Sequence, residues 1–199
     1  MKKLLVLLLA CSFLRHLAAD TFTVRNTNDS GTDSLRQAIL DANAHANSAN
    51  PTNAPDLISF AIPGSGTKTI SPTSALPTIT EAVILNGYTQ PGASPNTLTS
   101  GYNGVLLIEL NGTNAGNNVA GLTISGGGST VRGLVINSFR GFGLSITNGT
   151  GGHTIRGNFI GTDVTGTQPL GNLNDGIDIT NSPDNTIGGT GTVAASDPG

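Results

Sequence analysis

The chain has 199 residues, 9 Lys and Arg against 12 Asp and Glu, a formal net charge of −3 and only 11% charged residues. So sparse and slightly acidic a charge leaves no basic footprint for nucleic acid. With 28 glycines, one cysteine and 4% aromatics, the chain must build its core from Leu, Ile, Val and Ala, without a disulfide framework.

Residues 1–19 read as a leader rather than as part of the fold. Lys2 and Lys3 form a positive start, Leu4 to Leu14 is an apolar run too short to span a bilayer, and Leu17-Ala18-Ala19 is an acceptable cleavage site. This predicts an exported protein, secreted or at the cell surface, whose mature chain starts at Asp20 and has no transmembrane segment after the signal. Cys11, in Leu8-Leu9-Ala10-Cys11, resembles a lipobox, so lipoprotein anchoring is the minor alternative. The preferred reading is an ordinary apolar signal residue, because the run before it is short. Cleavage at Ala19 leaves the mature chain without thiol chemistry.

Residues 20–50 form an N-terminal strand and cap. Thr21 to Arg25 alternates as a strand, and Asp29 to Asp33 is a turn. Ser34 then caps a helix with Gln37 three residues on, a capping box. Leu35, Ala38, Ile39 and Ala42 fall on one face, and the helix ends near His45. A stack of parallel strands exposes raw edges at its ends, and an amphipathic helix before the first of them is a natural cover.

Residues 51–199 repeat. Phe60, Leu85, Leu110, Ile136 and Ile160 recur at intervals of about 25 residues, and Asn86, Asn111 and Asn137 follow three of them. Ile58/Phe60, Val83/Leu85, Ile108/Leu110, Leu134/Ile136 and Ile160 are expected to face inward. Between them Tyr88 to Asn103 is a Pro/Gly/Asn-rich excursion. Further on, Gly121-Leu122-Thr123-Ile124 returns as Gly143-Leu144-Ser145-Ile146 and as Gly176-Ile177-Asp178-Ile179. In step with it, Thr130-Val131-Arg132-Gly133 returns as Thr154-Ile155-Arg156-Gly157 and as Thr186-Ile187-Gly188-Gly189. Thr162 to Asn172 is an insertion in the last unit. Units of about two dozen residues, each holding two or three short strands, fit the coils of a parallel β-helix, about six of them. Equivalent residues would then lie about 4.8 Å apart in ladders. Asn148 and Asn181 align past Thr147 and Thr180. Such asparagines either stack and hydrogen-bond from coil to coil or simply tolerate turn dihedrals.

The stretch Gly31-Thr32-Asp33-Ser34-Leu35-Arg36-Gln37-Ala38-Ile39 resembles the GSLRQAI or CSLREA motif near the N-terminus of large bacterial surface and secreted proteins with right-handed parallel β-helix repeats, part of the pectate-lyase-like superfamily. Residues 86–96, Asn-Gly-Tyr-Thr-Gln-Pro-Gly-Ala-Ser-Pro-Asn, and Ile160 to Thr167 followed by Leu170-Gly171-Asn172 resemble further phrases of that family. The resemblance covers most of the mature chain. It implies an all-β, single-stranded right-handed parallel β-helix and export, but no single reaction. The general preference of parallel crossovers gives the same hand. Family members continue for many more coils, so a chain stopping at Gly199 is expected to be truncated there or to associate end to end.

Candidates for chemistry are few. Asn174-Asp175-Gly176-Ile177-Asp178 is similar to the Asn-Thr-Asp-Gly signature of polygalacturonases, which place carboxylates outward on a β-helix strand. Asp175, Asp178 and, on the insertion, Asp163 are therefore the catalytic candidates for a glycoside hydrolase or lyase, which needs one carboxyl as acid and another as base. That family's Asp-Asp pair and Gly-His-Gly are absent. The competing reading makes Asp175 a turn residue and Asp178 a solvated strand residue. Thr123, Ser145 and Asp178 should form one outward ladder. Arg132 is expected to stack on Arg156, either gripping an anionic glycan or splaying into water. His45 and His153 have no metal-ligand spacing, so no metal site is assigned. A calcium site from Asp163, Asp175 and carbonyls is conceivable as the one cofactor. Together these readings favour a surface scaffold for adhesion or contact with polysaccharide or cell-envelope glycans, with a polysaccharide-degrading enzyme as the alternative.

Overall fold

A computed structural model describes residues 19–47 and 54–189. The body of the expected leader with Cys11, and the stretch from Ala194 to Gly199, lie outside the described residues.

The chain opens on strand β1 (Thr21–Val24) and helix α1 (Leu35–Ala44). Strands β2 (Asp56–Phe60), β3 (Lys68–Ile70), β4 (Val83–Asn86), β5 (Ile108–Asn111) and β6 (Leu122–Ile124) follow. Then come β7 (Thr130–Arg132), β8 (Leu134–Asn137), β9 (Leu144–Thr147), β10 (Thr154–Arg156), β11 (Phe159–Ile160), β12 (Ile177–Thr180) and β13 (Thr186–Ile187). They form three sheets: six strands ordered β1-β2-β4-β7-β10-β13, four ordered β11-β8-β5-β3, and three ordered β12-β9-β6. Every strand pair within these sheets is parallel.

Parallel neighbours cannot be joined by a tight turn and need a crossover. Between β1 and β2 that crossover is α1. From β7 onward the chain visits the six-, four- and three-stranded sheets in turn and comes back one strand further along. One such circuit corresponds to one repeat of the sequence. Both repeated phrases pair in the expected register: Leu122 with Leu144 and Leu144 with Ile177, Val131 with Ile155 and Ile155 with Ile187.

The core is three aliphatic columns, one per sheet. Ile58, Leu85, Val131 and Ile155 are cross-strand partners along the first sheet. Ile70, Leu110, Ile136 and Ile160 follow the second, and Ile79, Ile124, Ile146 and Ile179 the third. Most are fully buried, and each such side chain contributes roughly 1.5–3 kcal/mol relative to exposure. The columns thin toward the last strands, where Ile179 is 42% and Ile187 47% exposed.

One expected series divides in two. Leu110, Ile136 and Ile160 are cross-strand partners, and so are Asn111 and Asn137. Phe60 and Leu85, however, belong to the other sheet, where Leu85 pairs with Ile58 and Val131. The regular spacing arose because the excursion after β4 occupies nearly one repeat length. That excursion joins the first sheet to the second, a step that Gly133 alone makes between β7 and β8. Ile58, Phe60, Val83, Leu85, Ile108, Leu110, Leu134 and Ile136 are nonetheless all buried, as the alternation predicts, with Ile160 half-buried.

The predicted helix forms, and Leu35, Ala38, Ile39 and Ala42 are its buried residues. Ser34 Oγ accepts the Gln37 N–H, and the His45 N–H closes the other end on Ala42 and Asp41. The capping box is only half made, since the Gln37 amide turns to Asp41 Oδ1 at 2.8 Å. Asn43 fastens the helix to the start of the third column: its Nδ2 donates to the Thr78 carbonyl at 2.7 Å and its Oδ1 accepts from Thr80 N at 2.9 Å. Arg36 holds the preceding turn through Asp29 Oδ1 at 2.7 Å and the Ala75 carbonyl at 2.6 Å.

Asparagine ladders occur at two corners. Asn111 Nδ2 donates to Asn137 Oδ1 at 3.1 Å, and Asn181 Nδ2 to Asn148 Oδ1 at 3.3 Å. Asn148 and Asn181 also carry positive φ, 52° and 53°. Both physical readings of these residues therefore apply at once: a left-handed turn is tolerated, and the amide left at that turn is paired.

Candidate functional site

The corner between the six- and four-stranded sheets brings together two arginines, Arg132 and Arg156, and the aromatic rings of Tyr88, Tyr102 and Phe159. Arg132 and Arg156 are direct cross-strand partners on β7 and β10, on the side opposite the inward Val131 and Ile155. Arg132 is only 5% exposed and Arg156 half-buried, so they do not splay into water as two free surface cations would. A glycine follows each strand, Gly133 and Gly157, and the ring of Tyr88 lies against them. A methyl on Gly133 would meet the ring at 2.9 Å, and the Tyr88 hydroxyl donates to the Gly157 carbonyl at 2.8 Å. The Tyr88 phenol is pushed up to about 12, chiefly by burial and further by Tyr102, against the opposing pull of Arg132 and Arg156. All four side chains thus share one electrostatic neighbourhood.

Tyr102 comes from the excursion, which folds back on itself through an antiparallel bridge between Ser94 and Val105. Its ring packs on Phe159 of β11, with centroids 5.1 Å apart and planes tilted by 41°. Tyr102 remains 46% exposed. An accessible aromatic face and a partly accessible guanidinium at one corner are chemistry suited to a sugar ring carrying negative charge.

The phrase that begins the excursion is a set of structural clamps. Asn86 Oδ1 accepts from Tyr88 N at 3.1 Å, and Thr89 Oγ1 accepts from Phe60 N at 2.7 Å. The buried Gln90 side chain exchanges two hydrogen bonds with the Ile62 backbone, at 2.9 and 2.8 Å. Gln90 thereby does the work of a further strand residue. Nothing in composition or periodicity marks it; it enters the sequence only within the family-like phrase of residues 86–96.

The three candidate carboxylates are in different situations. Asp163 organises the insertion, whose arms meet through a bridge between Thr162 and Pro169. Its Oδ1 accepts from Thr165 Oγ1 at 2.8 Å, Thr167 N at 3.1 Å and Gln168 N at 3.2 Å. Burial works against ionisation, but the bonds from Thr165, Gln168 and Thr167 outweigh it and hold this carboxyl below its usual range. An acid so held keeps no proton to give at neutral pH. Asp175 is exposed at the turn before β12, its carbonyl accepting from Gly143 N at 3.1 Å. Asp178 stands in the expected ladder with Ser145 and Thr123, so its neighbours on that face are hydroxyls. A weak bond from Thr180 Oγ1 reaches its Oδ2 at 3.4 Å.

His45 and His153 are separate structural histidines. His153 is 1% exposed at the corner before β10, where Nδ1 accepts from Ser129 N at 3.1 Å. Burial lowers its pKa, so the ring is neutral. His45 pairs through Nδ1 with Asp56 Oδ2 at 2.8 Å, and that bond raises its pKa. Among the described residues no group of three or more His, Cys, Asp or Glu is placed to hold a metal ion. A hollow lined by Thr21, Thr23, Asp33, Gln37 and Asp41 lies between β1 and α1, and its roughly 190 Å³ falls short of the ~300 Å³ at which ligand pockets begin. No helix among the described residues is long and apolar enough to cross a membrane.

No protein-family model matches the chain, and no curated protein matches it.

Proposed function

We propose that the protein is an exported right-handed parallel β-helix that serves as a surface or extracellular scaffold and contacts anionic glycan at the corner between its first two sheets. The strand order supports the β-helix reading: from β7 onward each full circuit of the chain adds one parallel strand to each of three sheets, with the repeated phrases in register. Export rests on Lys2, Lys3, the Leu4 to Leu14 run and Ala19.

The observation that carries the glycan contact is the in-register Arg132–Arg156 pair beside Tyr88, Tyr102 and Phe159. Arg156 and Tyr102 are its accessible members, and a uronate or sulfate-bearing sugar is the chemistry they fit. With a formal net charge of −3, the molecule as a whole is repelled by an acidic polymer, so retention must come from a local patch. The test is retention on an immobilised acidic polysaccharide such as polygalacturonate at low salt. Arg156→Ala with Tyr102→Ala is expected to abolish retention while the circular dichroism spectrum stays native. Unchanged retention of that folded double variant refutes the contact.

A further inference from the structure

The start of β1 carries a charge cluster that the glycan corner does not use. Asp56, at the head of β2, is 0% exposed. Its Oδ2 meets His45 Nδ1 at 2.8 Å, and its Oδ1 accepts the backbone N–H of Asp20 at 2.7 Å. Asp20 Oδ2 lies 3.5 Å from His45 Nε2, and the Phe22 ring makes a T-shaped contact with the imidazole, centroids 6.4 Å apart. Asp20 is fixed in place, because Leu57 N donates to its carbonyl at 2.8 Å. Two carboxylates therefore share one imidazole, and one of them has no access to water. A buried carboxylate is costly unless it is paired with positive charge and hydrogen-bonded. The cluster is one cation short.

We propose that cleavage of the Ala19–Asp20 peptide bond supplies that cation, so that the new α-ammonium group of Asp20 becomes the counter-ion of the buried Asp56. The inference rests on reading residues 1–19 as an export signal. An endopeptidase adds water across the bond: hydroxyl goes to the Ala19 carbonyl carbon, the C–N bond breaks, and the released amine stays on Asp20 and takes up a proton. Ala19 and Asp20 are both exposed, so the bond is accessible, while the nitrogen it frees already points at Asp56. The 2.7 Å separation suits a charge-assisted bond, which is roughly twice as strong as the neutral one it replaces. Processing thus fastens β1, the edge strand of the six-stranded sheet, to β2.

The test expresses the full chain with its own leader in an export-competent bacterium and reads the first residue of the product by Edman degradation. Asp20 is expected; any other first residue overturns the cleavage site and the ion pair together. With Asp20 first, labelling by an amine-reactive succinimidyl ester is followed against pH, by mass of the N-terminal peptide. A synthetic peptide beginning at Asp20 supplies the open amine for comparison, since Lys68, the one lysine beyond the leader, is buried and donates from Nζ to the Ser65 carbonyl at 2.9 Å. The terminal amine is expected to label at least about tenfold more slowly than an open one at pH 7.5, with an apparent pKa above the ordinary ~7.7–8.0. An ordinary rate and pKa on a chain that begins at Asp20 overturn the ion pair and leave the export reading standing. Asp56→Asn is expected to restore ordinary labelling, and a folded variant that stays protected also overturns the pairing. The wild-type pH profile decides the matter if that variant does not fold.

Discussion

Gly143 and Gly176 face each other across β9 and β12 so closely that a methyl added to Gly143 would sit 2.6 Å from the Gly176 carbonyl oxygen. The same methyl would lie 2.6 Å from the Ile160 side chain. Neither obstacle can swing aside, since one is strand backbone and the other belongs to the core column. Gly143→Ala is therefore expected to cost about 2 kcal/mol by overpacking. Urea denaturation checks it, as a lower midpoint with an unchanged slope. Gly152→Ala is the control for glycine replacement as such. It meets nothing within 4 Å, and its cost should reflect only its positive φ of 73°.

Ser34 and Gln37 were expected to cap the helix reciprocally, but only Ser34 does so. Ser34→Ala should cost about 1 kcal/mol, the usual loss for an N-cap hydroxyl. Gln37→Ala should cost much less, because it removes only an exposed contact with Asp41. Equal losses in the two variants, measured by thermal unfolding, would show that the box closes in solution.

Residues whose role is set by local pattern were legible in the sequence. Leu35, Ala38, Ile39 and Ala42 follow from helical spacing, and the Leu122/Leu144/Ile177 and Val131/Ile155/Ile187 ladders from repetition. Legibility failed where a connection changed length. Phe60 and Leu85 were joined to Leu110 because the excursion mimics a repeat, and no pattern distinguishes a full circuit from a long detour at one corner. The arginine stack was visible as register, but its burial was not, because the Tyr88 ring that lies against Gly133 and Gly157 at its edge is reached only through folding. Asp56 gave no signal at all. One carboxylate before an apolar strand is a common surface pattern, and its partners come from Asp20 and His45, brought to it by the crossover.

Asp163 is expected to be a loop-ordering residue. Asp163→Ala removes the acceptor shared by Thr165, Thr167 and Gln168. Hydrogen exchange at the Thr167 and Gln168 amides should accelerate while the global urea midpoint barely moves. The lowered pKa gives the sign of the pH effect: this ordering is present above the unfolded-state value and is lost as pH falls through the folded one. Asp163→Asn should reproduce the accelerated exchange at neutral pH in weaker form, since the amide keeps one acceptor oxygen.

His45 and His153 pull stability in opposite directions across neutral pH. The bond to Asp56 raises the folded-state pKa of His45 above its unfolded value of about 6.5, with burial opposing and the charges of Asp56 and Asp20 assisting. Its native form binds more protons than the unfolded one in that window, so its contribution is complete below about 6.5 and is lost as pH rises through the folded value. Burial lowers the folded-state pKa of His153, so there the unfolded chain binds more protons. Its contribution is complete above about 6.5 and is lost as pH falls toward and through the folded value. Together the two produce a stability maximum near pH 6.5. His45→Asn is expected to flatten the alkaline limb alone, and His153→Asn the acid limb alone, in midpoints measured from pH 5 to 8. The remaining histidine, His16, lies in the expected leader, so in the processed chain no third imidazole contributes to either limb. A limb that persists in its own variant would assign that slope to other groups. Above pH 7.5 the first of these is the Asp20 amine, which, paired with Asp56, keeps its proton to higher pH in the folded chain than in the unfolded one and so adds its own loss of stability there.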